Sequence, residues 1–303
     1  MRKIFFQKLA ELAKQDKKIF LLVADLGVKF FDNFKKIDSK RFLNVGVAET
    51  NMVGTAAGLA MSGKNVYCYS IIPFLVMRAF EQIRLDICFN NLNVKLLGSG
   101  GGLVYGAEGV THHAIEDIAI MRSLPNMTIV CPGDIKEAEL LAKESVNYPG
   151  PLYIRFGRDF DASVYQKEID FKIGKGIVVK EGKDICLITM GAMLSITKQA
   201  LDLLKQDNLE PTLISLHTIK PLDINLLREC AKKYKAIFTI EDHNIIGGLG
   251  SAVAEVLAEN NYQGKFKRLG INDEYCHIAG KPEFLLKHYG LDAIGIAQTI
   301  KNS

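Results

Sequence analysis

The strongest constraint on this chain is a rhythm in its hydropathy: short apolar runs alternate with longer amphipathic segments, twice over. Lys18–Asp25, Asn65–Ser70, Asn93–Leu97, Met127–Cys131 and Leu152–Arg155 read as buried strands. Between them Glu49–Ser62, Phe74–Phe89 and Ile115–Ser123 read as helices, the second with Arg78, Glu81, Gln82 and Arg84 on its polar side. Asp134, followed three residues later by Glu137, predicts a capping box that opens a helix to Val146. Strand–helix alternation implies crossover connections, hence a mostly parallel sheet covered on both faces. Gly157 to Lys172 is polar and has no period. The rhythm then resumes, with strands at Ile185–Thr189, Pro211–Ser215, Ala236–Glu241 and Phe266–Leu269, helices at Leu194–Lys205, Leu222–Lys233 and Ser251–Glu259, and two closing helices. The expected fold is α/β with two doubly wound domains, residues 1–165 and 183–303, joined by a linker at 166–182. A chain of 303 residues is long enough for both.

Composition excludes several functions. The formal net charge of +4 is mild, and no stretch concentrates Lys and Arg as a nucleic-acid footprint would. No run approaches the ~18 apolar residues of a membrane span, and the N-terminus lacks the apolar core of a signal peptide. The six cysteines form no Cys-x-x-Cys pair and mostly lie in apolar runs. They predict buried, reduced thiols and a cytoplasmic protein, without disulfides or zinc.

Five stretches carry candidate chemistry. Glu49 sits in Gly46-Val47-Ala48-Glu49-Thr50-Asn51-Met52, at the mouth of a helix rich in small residues such as Gly54, Ala56, Ala57 and Gly58. A carboxylate there is either a cap, gaining ~0.3–1 kcal/mol from the helix dipole, or a working group. Gly98-Ser99-Gly100-Gly101-Gly102 follows a strand, but no helix starts directly after it and no Lys-Ser/Thr follows as in a P-loop. It reads as a flexible loop or as one lining a substrate. In Glu108-Gly109-Val110-Thr111-His112-His113, two histidines stand in a Gly-rich loop, off any apolar face. Acid–base work or substrate binding is favoured over metal there, because adjacent rings do not easily turn to one ion and no third ligand is near. Arg155-Phe156-Gly157-Arg158 closes a strand at its carboxyl end, where open α/β sheets bind ligands. An anion contact and a surface ion pair are the alternatives there. Glu241-Asp242-His243-Asn244 ends a strand before Gly247-Gly248-Leu249-Gly250-Ser251. Those glycines either turn a helix N-terminus toward an anion or serve a tight turn.

Taken together, these residues resemble the C-terminal half of transketolase, a thiamine-diphosphate enzyme, over essentially the whole chain. Three stretches carry the resemblance: Gly46 to Met52; Gly109 to His113 with Glu116-Asp117-Ile118-Ala119 and Arg122-Ser123-Leu124-Pro125-Asn126-Met127; and Glu241 to Asn244 with its glycines. In that family the other half carries a Gly-Asp-Gly motif that, with an Asn-Asn pair, holds magnesium and the diphosphate. No Gly-Asp-Gly occurs here, and the sequence opens with its own Met1 at the pyrimidine-binding domain. The resemblance therefore implies one subunit of a split transketolase, which transfers a two-carbon ketol unit between sugars or sugar phosphates. It implies an N-terminal partner subunit that holds Mg2+ or Ca2+, and an α2β2 heterotetramer whose chains share the thiamine diphosphate.

The resemblance also assigns roles. Glu49 would hydrogen-bond the cofactor's aminopyrimidine ring and promote its activation. Leu26 would be an apolar wedge beneath the cofactor, with Leu75 and Arg78 also on the cofactor side. His112 would bind substrate and take part in catalysis, with His113 beside it. Glu108 would contact a sugar hydroxyl, and Arg158 a substrate phosphate. Some positions depart from the family. Where an aromatic ring is expected against the aminopyrimidine, the run is Ser70-Ile71-Ile72-Pro73-Phe74-Leu75; either Ile72 replaces the ring or Phe74 swings in. Gly100 stands for a phosphate-contacting histidine and Lys29 for a serine, which leaves open a modified sugar or a differently placed anion. His243 is a candidate to reach the site from the second domain. The alternatives are a pyruvate-using relative, of the deoxyxylulose-phosphate synthase or 2-oxo acid dehydrogenase beta type, and a non-catalytic partner subunit.

Overall fold

The computed structural model describes residues 1–27, 30–157 and 163–303. Lys29 and Arg158 lie outside the described residues. The first block supplies β1 (Ile19–Val23), β2 (Phe42–Asn44), β3 (Asn65–Ile71), β4 (Val94–Ser99), β5 (Thr128–Val130) and β6 (Leu152–Phe156). The second supplies β7 (Ile177–Lys180), β8 (Ile185–Thr189), β9 (Thr212–Ser215), β10 (Thr218–Lys220), β11 (Ala236–Asn244) and β12 (Lys265–Ile271). The first sheet has the order β10-β5-β6-β4-β3-β1-β2, and the second β12-β11-β8-β9-β7. All pairs are parallel except β10 with β5 and β7 with β9.

Burial explains the continuous apolar runs. β4 and β6 are buried at every position, as strands covered on both faces must be. On one face of the first sheet, Phe5, Phe6 and Leu9 of the helix Arg2–Gln15 pack with Leu21, Tyr67 and Ile154. On the other, Met52, Val53 and Ala56 of the helix Glu49–Met61 pack with Leu22, Cys68 and Leu96. That second core runs on through Cys131 to Ile188, Ile214 and Val253, so the two sheets share it. All six cysteines are free and buried. No helix among the described residues is long and apolar enough to cross a membrane.

The structure differs from the sequence reading in four places. The stretch expected as a linker, 166–182, contains β7, an edge strand whose residues alternate between half-buried and exposed. β10 crosses from the second block to the edge of the first sheet, with Thr218 opposite Val130. The helix expected at Phe74–Phe89 is present but wound mostly as π-helix, at Pro73–Met77 and Ile83–Phe89, with α-helix only at Phe80–Gln82. Asp134 does cap its helix, accepting from the Lys136 N–H at 2.7 Å. Glu137, however, reaches one residue further back than a capping box, to the Gly133 N–H at 2.6 Å.

Candidate active site

The carboxyl ends of β1, β3, β4 and β6 bring the candidate loops to one edge of the first sheet, where open α/β folds bind ligands. Glu49 begins its helix there and is 1% exposed. Its carboxylate caps no backbone. Oε1 accepts from the Ser70 hydroxyl at 3.1 Å, at the end of β3, and Oε2 from Arg78 Nη1 at 2.6 Å. The Arg78 side chain is 46% exposed, so it covers Glu49 from the solvent side. Its guanidinium lies 4.7 Å from the Phe74 ring centroid, a cation–π distance. Phe74 in turn meets the His112 ring edge-on, with centroids 5.1 Å apart. Glu49, Arg78, Phe74 and His112 thus form one contiguous line of side chains.

His112 is half-buried, and its Nδ1 pairs with Thr111 Oγ1 at 2.9 Å. Tyr105 borders its other side, at a centroid distance of 5.6 Å. Glu108 is exposed on the same loop. Leu26 is partly buried after Asp25, whose left-handed backbone is held by Asn44: the Asp25 N–H donates to Asn44 Oδ1 at 3.0 Å. The Gly46 N–H donates to that oxygen too, at 3.1 Å, so Asn44 ties the Leu26 turn to the approach to Glu49. Sequence reasoning passed over Asn44, a lone amide at a strand end. It also passed over Arg2. Arg2 Nη1 donates to Ser99 Oγ at 2.6 Å, and Ser99 meets the Tyr105 hydroxyl at 3.2 Å, which places a guanidinium at this same edge.

Four expected site residues are turned away. Ile72 and Leu75 are fully buried in the shared core. Ile72 fills the space that Gly98 leaves, since a Cβ there would lie 2.5 Å from Ile72 Cγ1. Of the two stacking candidates, only Phe74 is partly exposed. Gly100 is buried under Tyr105, whose ring occupies the space a Cβ would need; the wall beside His112 is therefore Tyr105. His113 points inward, its Nε2–H donating to the Gly106 carbonyl at 2.9 Å.

The second-domain motif also resolves. Glu241 is fully buried and accepts from the N–H groups of Leu249 and Gly250, at 2.7 and 2.8 Å. The helix N-terminus is thus already occupied by a carboxyl group of its own chain. Burial pushes Glu241 up to about 8, against those two N–H bonds. His243 is fully buried, its Nδ1 facing the Asn244 carbonyl at 2.7 Å, and burial lowers its pKa. It does not open onto the His112 edge. Arg155 is neither an anion site nor a surface pair. It is 1% exposed and bonds Asp117, Asp242 and backbone carbonyls.

Comparison with known proteins identifies the family. Residues 1–160 match the family model of the transketolase pyrimidine-binding domain, and residues 174–296 that of the transketolase C-terminal domain. A putative transketolase C-terminal section from Methanocaldococcus jannaschii is 40% identical over 303 residues, covering 99% of this chain and 95% of that one. One of the subunits of apulose-4-phosphate transketolase from Phocaeicola vulgatus is 38% identical over 300 residues, covering 98% and 95%. Among solved structures, a split gene transketolase, described as an inactive beta4 tetramer, superposes with a TM-score of 0.88 at 37% identity, covering 99% and 96%. The chain belongs to the transketolase family and carries its pyrimidine-binding and C-terminal domains.

Proposed function

We propose that this chain is the C-terminal subunit of a two-chain, thiamine-diphosphate-dependent transketolase that moves a two-carbon ketol unit from a ketose to an aldose. The observation that carries this reading is Glu49, a carboxylate buried at the ligand-binding edge, bonded only by side chains and lined up with His112 through Arg78 and Phe74. The site fits the cofactor's aminopyrimidine end. Each Glu49 oxygen has one donor and keeps a lone pair free for a proton shared with a ring nitrogen. Phe74 offers a partly exposed ring face beside it, and Leu26 an apolar side chain at the end of β1. When bound, the cofactor supplies the electron sink for breaking a carbon–carbon bond next to a carbonyl.

The chain's own residues would then divide the work. Glu49 would hold a proton against a ring nitrogen of the aminopyrimidine in a dry pocket, where a charge-assisted bond is strong. Arg78 pairs with that carboxylate from the solvent side. His112 presents Nε2 to a sugar oxygen, its ring oriented by Thr111 at Nδ1 and flanked by Phe74 and Tyr105. Glu108 contacts a sugar hydroxyl, and Lys29 and Arg158 serve an anionic group. The diphosphate and its Mg2+ or Ca2+ sit on an N-terminal partner subunit, in an α2β2 assembly. That relatives of matching length are themselves subunits supports this division. Six free, buried thiols fit a cytoplasmic setting.

The test is turnover. The chain is mixed with an N-terminal transketolase subunit carrying a Gly-Asp-Gly motif, thiamine diphosphate and Mg2+, and offered a panel of ketoses and aldoses, free and phosphorylated. Ketol transfer is expected. Carbon dioxide release from pyruvate would assign the chain to the pyruvate-using relatives instead, and cofactor binding without any turnover would make it a non-catalytic partner.

A further inference from the structure

We infer that Asp242, on the second domain, is the positioning residue for the His112 loop and acts through Arg155. Arg155 lies on β6 of the first sheet, next to β4, and Asp242 near the end of β11 in the second. Both are buried. Arg155 Nε donates to Asp117 Oδ2 at 2.9 Å, which also accepts from the Tyr153 hydroxyl at 2.7 Å. Nη1 donates to Asp242 Oδ1 at 2.7 Å, and Nη2 to the carbonyls of Ala114 and Asp242, at 3.0 and 3.2 Å.

Both site loops rest on this pair. Ala114, two residues after His112, exchanges backbone bonds with Gly102 in both directions, at 2.8 and 3.0 Å. A Cβ on Gly101 would lie 2.7 Å from the Arg155 guanidinium carbon, and one on Gly102 2.5 Å from Asp242 Oδ2. The glycine-rich run thus gives the ion pair room to seat directly under the loops. The second domain adds another anchor, the Asn244 N–H donating to the Ile115 carbonyl at 2.8 Å. Once one carboxylate leaves a buried pair, the guanidinium is left uncompensated and its neighbours must rearrange. The neighbours in question are the backbone that carries His112. The anchoring stands on geometry alone; its consequence for sugar binding rests on the role proposed for His112.

The test compares Asp242→Ala with Asp242→Asn in the full chain. Asparagine keeps an oxygen for Arg155 Nη1, and alanine does not. Hydrogen exchange at the Gly102 and Ala114 amides is expected to be at least about tenfold faster in the alanine variant, while Leu96 and Phe238, inside their sheets, keep their rates. The asparagine variant is expected to restore slow exchange. In the two-chain enzyme, the alanine variant should raise KM for the ketose about tenfold while half-saturation by thiamine diphosphate stays within about twofold. Unchanged exchange at Gly102 and Ala114, or acceleration spread evenly over both sheets, would overturn the anchoring. Faster loop exchange with an unaltered ketose KM would overturn its role in positioning His112. A wild-type enzyme without ketol transfer would refute the functional reading instead, and exchange would still decide the anchoring.

Discussion

Glu49→Gln separates a working carboxylate from a structural one. The substitution keeps the shape and removes the charge. The losses are small: ~0.3–1 kcal/mol of helix-dipole interaction, and about 1 kcal/mol as a charge-assisted bond from Arg78 becomes an ordinary one. Against them stands the solvation that an ionised group gives up at 1% exposure, several kcal/mol for a buried ion. Arg78 is half exposed and recovers only part of that. The balance lies within about 1 kcal/mol of zero and leans toward stabilisation, so the melting temperature should move by no more than about 3 °C. Activity should behave differently. Loss of a preorganised group that stabilises charge in the reaction costs about 10²–10³-fold in kcat. Thermal unfolding of the chain and turnover of the two-chain enzyme measure both quantities on one variant. Turnover within about threefold of wild type would refute the role of Glu49 in cofactor activation, because so small a loss is far below that range. A drop of more than about 6 °C would show instead that the carboxylate serves the fold.

Two further substitutions test the remaining assignments. Phe74→Ala should weaken thiamine-diphosphate binding to the two-chain enzyme by about tenfold, the ~1.4 kcal/mol typical of an aromatic contact. Ile72→Val should leave that affinity alone and cost the chain about 0.5–1.5 kcal/mol of stability, as a buried methylene deletion does; the opposite pattern would return the stacking role to Ile72. His217 is expected to contribute to acid stability. It is fully buried, stacked on Phe171 at 4.3 Å, and burial lowers its pKa from 6.5 to about 3. Between those values the unfolded chain binds a proton that the fold refuses, so this stability is complete above about 6.5 and drains away as the pH falls toward 3. Denaturant unfolding from pH 7 to 4 should show a shallower loss in His217→Phe, and parallel curves would mean that His217 titrates normally.

Most of the sheet architecture was legible because hydrophobic period and strand length are local properties. β3, β4, β6 and β8 were read within about two residues of their observed bounds, as continuous burial makes strands read as apolar runs. What escaped was short or decided at a distance. β10 has three residues, and its partner lies about 90 positions earlier in β5, so its place in the first sheet depends on how the two domains dock. The π-winding of 73–89 leaves the apolar pattern helical, and its wider turn shows only in bonds such as Arg78 N–H to the Pro73 carbonyl at 3.3 Å.

The candidate site divides along the same line. The motif residues proposed for the site by their own type and position, Glu49 and His112, were open to reading from the chain alone. Residues defined by a partner far off in sequence could not. Ile72 and Phe74 are two positions apart and equally apolar; what separates them is Gly98, which opens a hole that only Ile72 fills and leaves Phe74 outward against Arg78 and His112. Arg155 at a strand end looks like an anion ligand until Asp117 and Asp242, 38 and 87 residues away, are found to use its donors. Glu49 was ambiguous in the same sense. A cap and a working group share one sequence position, and they differ in what the carboxylate bonds. A cap gives its oxygens to backbone N–H groups at the start of a helix, as Glu241 on β11 does for Leu249 and Gly250. Glu49 gives its oxygens to Ser70 and to a half-exposed Arg78. Its oxygens are therefore not taken up by the helix backbone, which is the arrangement that the proposed contact with a ligand at the sheet edge requires.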